Sequence, residues 1–406
     1  MKHLIPIIII LLMVSTSFVG VSYDVEKSTK ASFDGNTLYV GGDGPGNYTS
    51  IQHAVNDAND GDTVFVYNGT YIENIHIEKS LNIIGQGRET TFVYNLNPSE
   101  YGVFHLKESN IVLKGFTIRA GQSGVEVGWD IPFKNITIEE CNIWSNGLYG
   151  GIWLGGVLSD IYIENCYFFD NKGLAVRIEG SISNVKFINC HFDGDEVHGW
   201  GDYFIFENCE FDDSGVELVL TSDYSQFLNC TFKRIYSYRF SYIYIYPGSY
   251  QIIKNCTFDN CGAVTIDLYE TNEATIQDCV ISNNIYDDVQ GICFIGNNLL
   301  LENVTIKGFD IGLYIFRGGF NIEVKKCNFI NNVRAVQYFA GGKFNKFIQN
   351  NFINNKCQFF NEDLLFMLNY YNNNYWDTWR GCGPYRVYGL LNWDWHPAKE
   401  PYDIGV

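Results

Sequence analysis

Apolar positions along this chain do not keep one period. They alternate for four residues, slip by one, and alternate again. The phrase apolar-x-apolar-x-Asn-Cys-x-Phe carries the slip, as in Ile161-Tyr-Ile-Glu-Asn-Cys-Tyr-Phe168, Val185-Lys-Phe-Ile-Asn-Cys-His-Phe192 and Phe204-Ile-Phe-Glu-Asn-Cys-Glu-Phe211. A shorter copy is Ile252-Ile-Lys-Asn-Cys-Thr-Phe258, and looser ones centre on Cys141, Cys230, Cys279, Val304 and Cys327. The centres recur at steps of 19 to 26 residues, the shortest being Cys190 to Cys209. Alternation predicts strands, and a fixed period of this size predicts stacked coils.

The residue at the slip is Asn at 165, 189, 208, 229, 255 and 303. Asparagine tolerates the left-handed backbone region better than other non-glycine residues. One such residue bends a strand and restores the inward phase. A turn follows, Asp170-Asn-Lys-Gly173, and then a third short strand, Ala175 to Glu179. Three strands per coil predict an all-β, right-handed parallel β-helix of about a dozen coils, with strands paired between coils. The third strand faces Val176 and Ile178 inward and Arg177 and Glu179 outward. The same alternation turns Glu126, Trp153, Glu217, Tyr244, Asp267, Tyr269, Tyr314 and Phe316 outward. In Tyr236-Ser-Tyr-Arg-Phe-Ser-Tyr-Ile-Tyr-Ile-Tyr246 either face is able to point inward, and the ladder favours Ile243 and Ile245 inside.

Both ends depart from the pattern. Residues 51–60 space Ile51, Ala54, Val55 and Ala58 as a helix does and suit an N-terminal cap. From Tyr370 the period is lost among Trp376, Trp379, Pro384, Trp393, Trp395 and Pro397, which reads as an irregular aromatic C-terminal cap. Lys2 and His3 precede the apolar run Leu4–Val14, and Gly20 and Ser22 suit a cleavage site, so residues 1–22 read as a signal peptide of an exported protein. Residues 23–37 form a leader, 38–369 the β-helix and 370–406 the cap, with no membrane span expected after cleavage. Six Asn-x-Ser/Thr sequons are compatible with export.

Composition changes the picture in three ways. The chain of 406 residues is 46% hydrophobic, ample for a long core. Its net charge of -19 argues against nucleic acid as a partner, and an anionic polysaccharide would need local cations or Ca²⁺. Of twelve cysteines, eight occupy the repeated position and predict an inward column of buried thiols. Cys357 and Cys382 lie off the column and are a candidate disulfide.

Gly46-Asn-Tyr-Thr-Ser-Ile-Gln-His-Ala-Val55, Asn59-Asp-Gly-Asp-Thr-Val64, Tyr67-Asn-Gly-Thr-Tyr-Ile-Glu-Asn74 and Leu81-Asn-Ile-Ile-Gly-Gln-Gly87 resemble the first coils of the pectin-lyase-like superfamily, as in pectin methylesterases and NosD-like proteins. Asn372-Asn-Asn-Tyr-Trp376 and Asn392-Trp-Asp-Trp-His-Pro397 resemble end caps of secreted archaeal and bacterial β-helix proteins. The resemblance implies the fold and a ligand face along the outside of one sheet. It does not carry a catalytic set: Asp202-Tyr-Phe-Ile-Phe-Glu207 only echoes the esterase motif, and no ordered polygalacturonase set is present.

The expected function is therefore that of an exported, monomeric surface protein binding carbohydrate along the third-strand face without catalysis. Trp153, Arg177, Trp200, Tyr244, Asp267, Tyr269 and Tyr314 are the candidate ligand contacts, because aromatic faces stack on sugars and charged groups bind hydroxyls. The alternative is a polysaccharide lyase or glycoside hydrolase using Glu179, Asp202 and Glu217 on successive coils, within the carboxylate spacing that glycosidases use. Asp193, Asp195 and Glu196 are a candidate Ca²⁺ site through hard oxygen ligands. A weaker alternative, implied by the resemblance alone, is a NosD-like accessory role in copper-site maturation.

Overall fold

The computed structural model describes residues 31–405 except 32, 96–101, 129–130, 173, 220–221, 235–240, 261–262, 286, 362–367 and 389–391. The signal peptide and Tyr236, Tyr238 and Phe240 lie outside the described residues.

Each slip residue is left-handed, as expected: φ is 55° at Asn165, 53° at Asn189, 54° at Asn208, 56° at Asn229, 53° at Asn255 and 55° at Asn303. The side chains add a second reason for asparagine. Asn189 Nδ2 donates to Asn165 Oδ1 at 3.1 Å, Asn229 to Asn208 at 3.1 Å and Asn255 to Asn229 at 2.7 Å. The bend is thus a hydrogen-bonded ladder running along the rod.

The backbone winds through about 14 turns of parallel solenoid. Pairing is coil to next coil: Tyr167, Phe168 and Phe169 pair with His191, Phe192 and Asp193, and these with Glu210, Phe211 and Asp212. A second left-handed corner separates the third strand from the next coil. It holds Asn135, Asp160, Asn184, Tyr203, Tyr224, Tyr250, Glu273 and Asn298, with φ between 55° and 62°. No single residue type marks it, so the sequence pattern does not announce it. The three tyrosines stack at 4.8 and 4.7 Å.

The core is a set of columns. Phe168, Phe192, Phe211, Phe232 and Phe258 stack in succession at 4.5 to 5.1 Å, all fully buried. Phe187, Phe206 and Phe227 form a parallel stack at 4.6 and 4.9 Å. The repeated cysteines are free and buried. Each thiol donates to backbone carbonyls, as Cys166 Sγ does to Glu164 O at 3.3 Å and Ile138 O at 3.6 Å. Burial holds the Cys141, Cys166 and Cys190 thiols well above their ordinary pKa. Cys357 and Cys382 are both free, which corrects the candidate disulfide. Cys357 is committed to its strand, where Sγ reaches Phe359 O at 3.2 Å, whereas Cys382 is exposed.

The N-terminal helix forms in the expected segment, but coil pairing runs past the expected start of the C-terminal cap: Tyr370–Asn372 pair with Lys346–Ile348, and Tyr375–Trp376 with Asn351–Phe352. The helix Ile51–Asp57 buries Ile51, Ala54 and Val55, with Ala58 buried just beyond its end. Glu73 fastens it, its carboxylate accepting from the backbone of Ile51 and Gln52. At the other end Trp376 stacks on Phe352 and on Tyr385, both at 4.4 Å, and its Nε1 donates to the buried Asp394. Among the described residues no helix is long and apolar enough to cross a membrane.

Candidate functional site

The third strands stack so that one outward position forms a continuous column. Its members are His76, His105, Glu126, Trp153, Arg177, His198, Glu217, Tyr244, Asp267, Cys293, Tyr314 and Gln337, each in register with the next. Adjacent members stand about 4.8 Å apart along the rod. Residues far apart in sequence are thereby delivered to one face.

The column is not uniformly accessible. Glu126 and Trp153 are buried, which corrects their expected exposure. Glu126 closes on the equally buried His105, with Oε2 3.1 Å from Nδ1. Burial pushes that imidazole down to about 4. Trp153 is held against Gly155, where an added Cβ would fall 2.7 Å from the indole. Its Nε1 donates to Glu179 Oε2 at 3.0 Å, and Arg177 pairs with the other oxygen of Glu179. Trp153, Arg177 and Glu179 therefore form a closed knot of mutually satisfied groups. Trp200 is half-buried at the corner after Gly199, the register partner of Ile178.

The face opens farther on, in a cleft of about 290 Å³ lined by Glu196, Glu217, Ser241, Tyr244, Ala263 and Asp267, among others. Glu217, Tyr244 and Asp267 come from three adjacent strands. Glu196 comes from the short strand Glu196–Gly199, which the shortest coil step places beside Glu217. Burial, then the Glu217 and Asp213 carboxylates, push Glu196 up to about 7. Burial likewise pushes Asp267 up to about 6, opposed by the Cys293 thiol bonded to it. The Tyr244 hydroxyl is raised by burial and by Asp267 and Glu217. His198 Nε2 lies 3.7 Å from Glu217 Oε2. The cleft thus holds an acid that keeps its proton near neutrality, a neighbouring carboxylate, a phenol and a hydroxyl, all groups that hydrogen-bond sugar hydroxyls.

The structure separates the proposed catalytic trio. Glu217 lines the cleft and Glu179 is tied into the knot. Asp202 lies round the corner on the next sheet, where Oδ1 accepts from Asp223 N at 3.0 Å. The Gly199–Gly201 corner turns the chain between them. The Ca²⁺ trio is likewise dispersed, because alternation and a turn send its members three ways. Asp193 accepts from the Tyr167 hydroxyl, Asp195 is buried on Asn171, and Glu196 faces the cleft. Among the described residues no group of three or more His, Cys, Asp or Glu side chains is placed to hold a metal.

The alternation read from the sequence turns Tyr244, Asp267 and Glu217 outward on the third strands, and they stand in register there. Sequence reasoning missed Ser241, and gave Glu196 a different role. Ser241 lies within the tyrosine run but two residues before the strand Ile243–Tyr246, and the depth of the cleft follows from small neighbours such as Gly215 and Ala263. The Tyr run divides as the ladder favours: Ile243 and Ile245 are fully buried, while Tyr244 and Tyr246 stay half-buried outside. Tyr242 breaks the alternation by also turning inward, its hydroxyl donating to Asp259 O at 2.7 Å.

Comparisons with known proteins agree with this architecture. A cell surface glycoprotein of Methanothermus fervidus is 32% identical over 108 residues, 26% of this chain, and the match spans only 18% of that protein. Among solved structures, PfbA, a surface adhesin of Streptococcus pneumoniae, superposes with a TM-score of 0.53 at 13% identity, over 86% of this chain and 94% of that one. The mannuronan C-5 epimerase AlgE4 A-module of Azotobacter vinelandii superposes with a TM-score of 0.52 at 14% identity, over 79% and 94%. The model of the right-handed β-helix region matches residues 18–232 and 214–374, so the chain belongs to that family.

Proposed function

We propose that this protein is an exported, surface-displayed β-helix that binds polysaccharide along the outer face of its third sheet, without turning it over. The observation that carries this reading is the cleft at Glu196, Glu217, Tyr244 and Asp267, the place where the outward column opens to solvent. Acceptors, donors and a phenol ring there suit a sugar chain. The stretch shared with a cell surface glycoprotein supports display outside the cell. The rod presents this face as a monomer, and its net charge disfavours nucleic acid.

A second reading, glycoside hydrolysis or lyase chemistry, is favoured by one observation. Glu196, pushed up to about 7, lies beside Glu217 as a protonated general acid lies beside a carboxylate in glycosidases. One assay separates the two. Mature protein is incubated with uronate-rich and neutral polysaccharides, and retention, new reducing ends and unsaturated-product absorbance are read. Retention without new ends is the expected result, with weaker retention for Tyr244→Ala. New ends abolished by Glu217→Gln would establish catalysis instead.

A further inference from the structure

The asparagines of the six Asn-x-Ser/Thr sequons stand at 47, 68, 135, 229, 255 and 303. Four of them are left-handed corner residues, with φ of 60° at Asn135, 56° at Asn229, 53° at Asn255 and 55° at Asn303. Their side-chain nitrogens are committed to the coil before. Asn135 Nδ2 donates to Asn110 Oδ1 at 2.9 Å, Asn229 to Asn208 at 3.1 Å, Asn255 to Asn229 at 2.7 Å and Asn303 to Asp278 at 2.8 Å. Asn47 is closed locally, its Nδ2 donating to Gly41 O at 2.6 Å.

Asn68 differs from all five. It lies in the connection between Thr63–Val66 and Gly69–Ile72, at the corner that carries the Asn–Cys bend farther along the rod. In the next coil, residues 86–90 form a loop at this corner in place of a rung. Gln86 Oε1 takes the backbone N–H of Asn68 at 3.0 Å. Among the described residues the Asn68 side chain makes no hydrogen bond, and Asn68 and Thr70 are both exposed. The nitrogen that a sequon offers for modification is therefore uncommitted here and engaged at the other five.

We propose that Asn68 is an N-glycosylation site of the exported protein, and that the other five sequons stay unmodified. The donor class is a glycan carried on a polyprenyl phosphate. The bond from Asn68 Nδ2 to the sugar C1 forms as the C1–O bond to the phosphate breaks. The lipid phosphate leaves with the electron pair, and Nδ2 gives up one proton. A ladder asparagine has no room for a pyranose on the same nitrogen, because the next rung stands about 4.8 Å away, and Asn229 and Asn255 are consecutive rungs. Asn68 has no rung to lose. The inference rests on the export half of the reading above and is independent of carbohydrate binding. Glu217 lies six register steps from His76, the third-strand residue of the coil that carries Asn68, roughly 29 Å along the rod, so the glycan leaves the cleft open.

The test is mass spectrometry of the protein isolated from the organism that makes it, on the intact chain and on its proteolytic peptides. The expected result is a glycan on the Asn68 peptide and unmodified masses for the other five sequons. Asn68→Gln and Thr70→Ala, made in the same organism, should each remove the whole mass increment, and Thr70→Ser should keep it, since the acceptor needs a hydroxyl two residues on. Asn229→Gln should keep the increment and lower the urea midpoint. A chain that has lost residues 1–22 and is unmodified at Asn68 overturns the site, and so does a glycan on any of the other five. An unmodified chain recovered from the cytoplasm with residues 1–22 intact overturns the export reading and takes the site with it.

Discussion

Asp195 shows how one residue's surroundings decide its role. The acidic run Asp193-Gly-Asp-Glu196 looks like a cation site because the residue types are right. Burial separates them: Asp195 is 2% exposed and accepts from Asn171 N at 2.9 Å and Asn171 Nδ2 at 2.7 Å. Burial outweighs these bonds and pushes its pKa up to about 6. The folded state therefore binds more protons than the unfolded chain between about pH 4 and pH 6, so stability falls as pH rises through that window. Asn at this position keeps an acceptor for Asn171 and removes the buried charge. Asp195→Asn is thus expected to raise stability above pH 6 by roughly 1–2 kcal/mol and to change little at pH 4. Thermal melts of both proteins at pH 4 and pH 8 check this; equal differences at the two pH values would refute it.

Among the strands and corners, legibility follows how often a physical demand repeats with one residue type. The Asn–Cys bend was readable because backbone, ladder and core all ask for the same residues at each coil. The second corner was not, since Asp160, Asn184, Tyr203 and Glu273 meet the same left-handed demand with different side chains. The face of the candidate site was readable from alternation, but the cleft was not. It depends on Gly215 and Ala263 and on the short step that brings Glu196 beside Glu217, and these are properties of neighbouring coils rather than of a motif. The bend makes its own prediction. Asn208 sits at φ 54° and accepts from Asn229. Asn208→Ala should cost about 2 kcal/mol, from the left-handed strain plus the lost rung, and Asn208→Gly less, because glycine removes the strain term. Urea midpoints rank the variants; alanine no worse than glycine would mean the backbone conformation is not what asparagine supplies.

Across the whole rod, each turn contacts mainly its two neighbours, so stability approximates a sum of turns and interfaces. Register makes this testable. Asn142, Ile143 and Trp144 pair with Tyr167, Phe168 and Phe169, so excising residues 142–166 joins Cys141 to Tyr167 and restores the repeated Cys–x–Phe phrase. The excised turn carries Trp153 and Asn146 but nothing that lines the cleft at Glu196, Glu217, Tyr244 and Asp267. The shortened protein should fold, with a β-sheet circular dichroism spectrum and a single unfolding transition. Its denaturant m-value should fall by roughly one part in fourteen, in proportion to surface buried. Arg88 would lose its bond to Asn165 O, a reach of 77 positions along the chain, so some loss of midpoint is expected from that strap as well. Polysaccharide retention should survive, because the cleft sits on coils that the excision leaves in register. Retention lost from a protein that still folds would mean that the closed knot at Trp153, Arg177 and Glu179 is part of the binding surface after all.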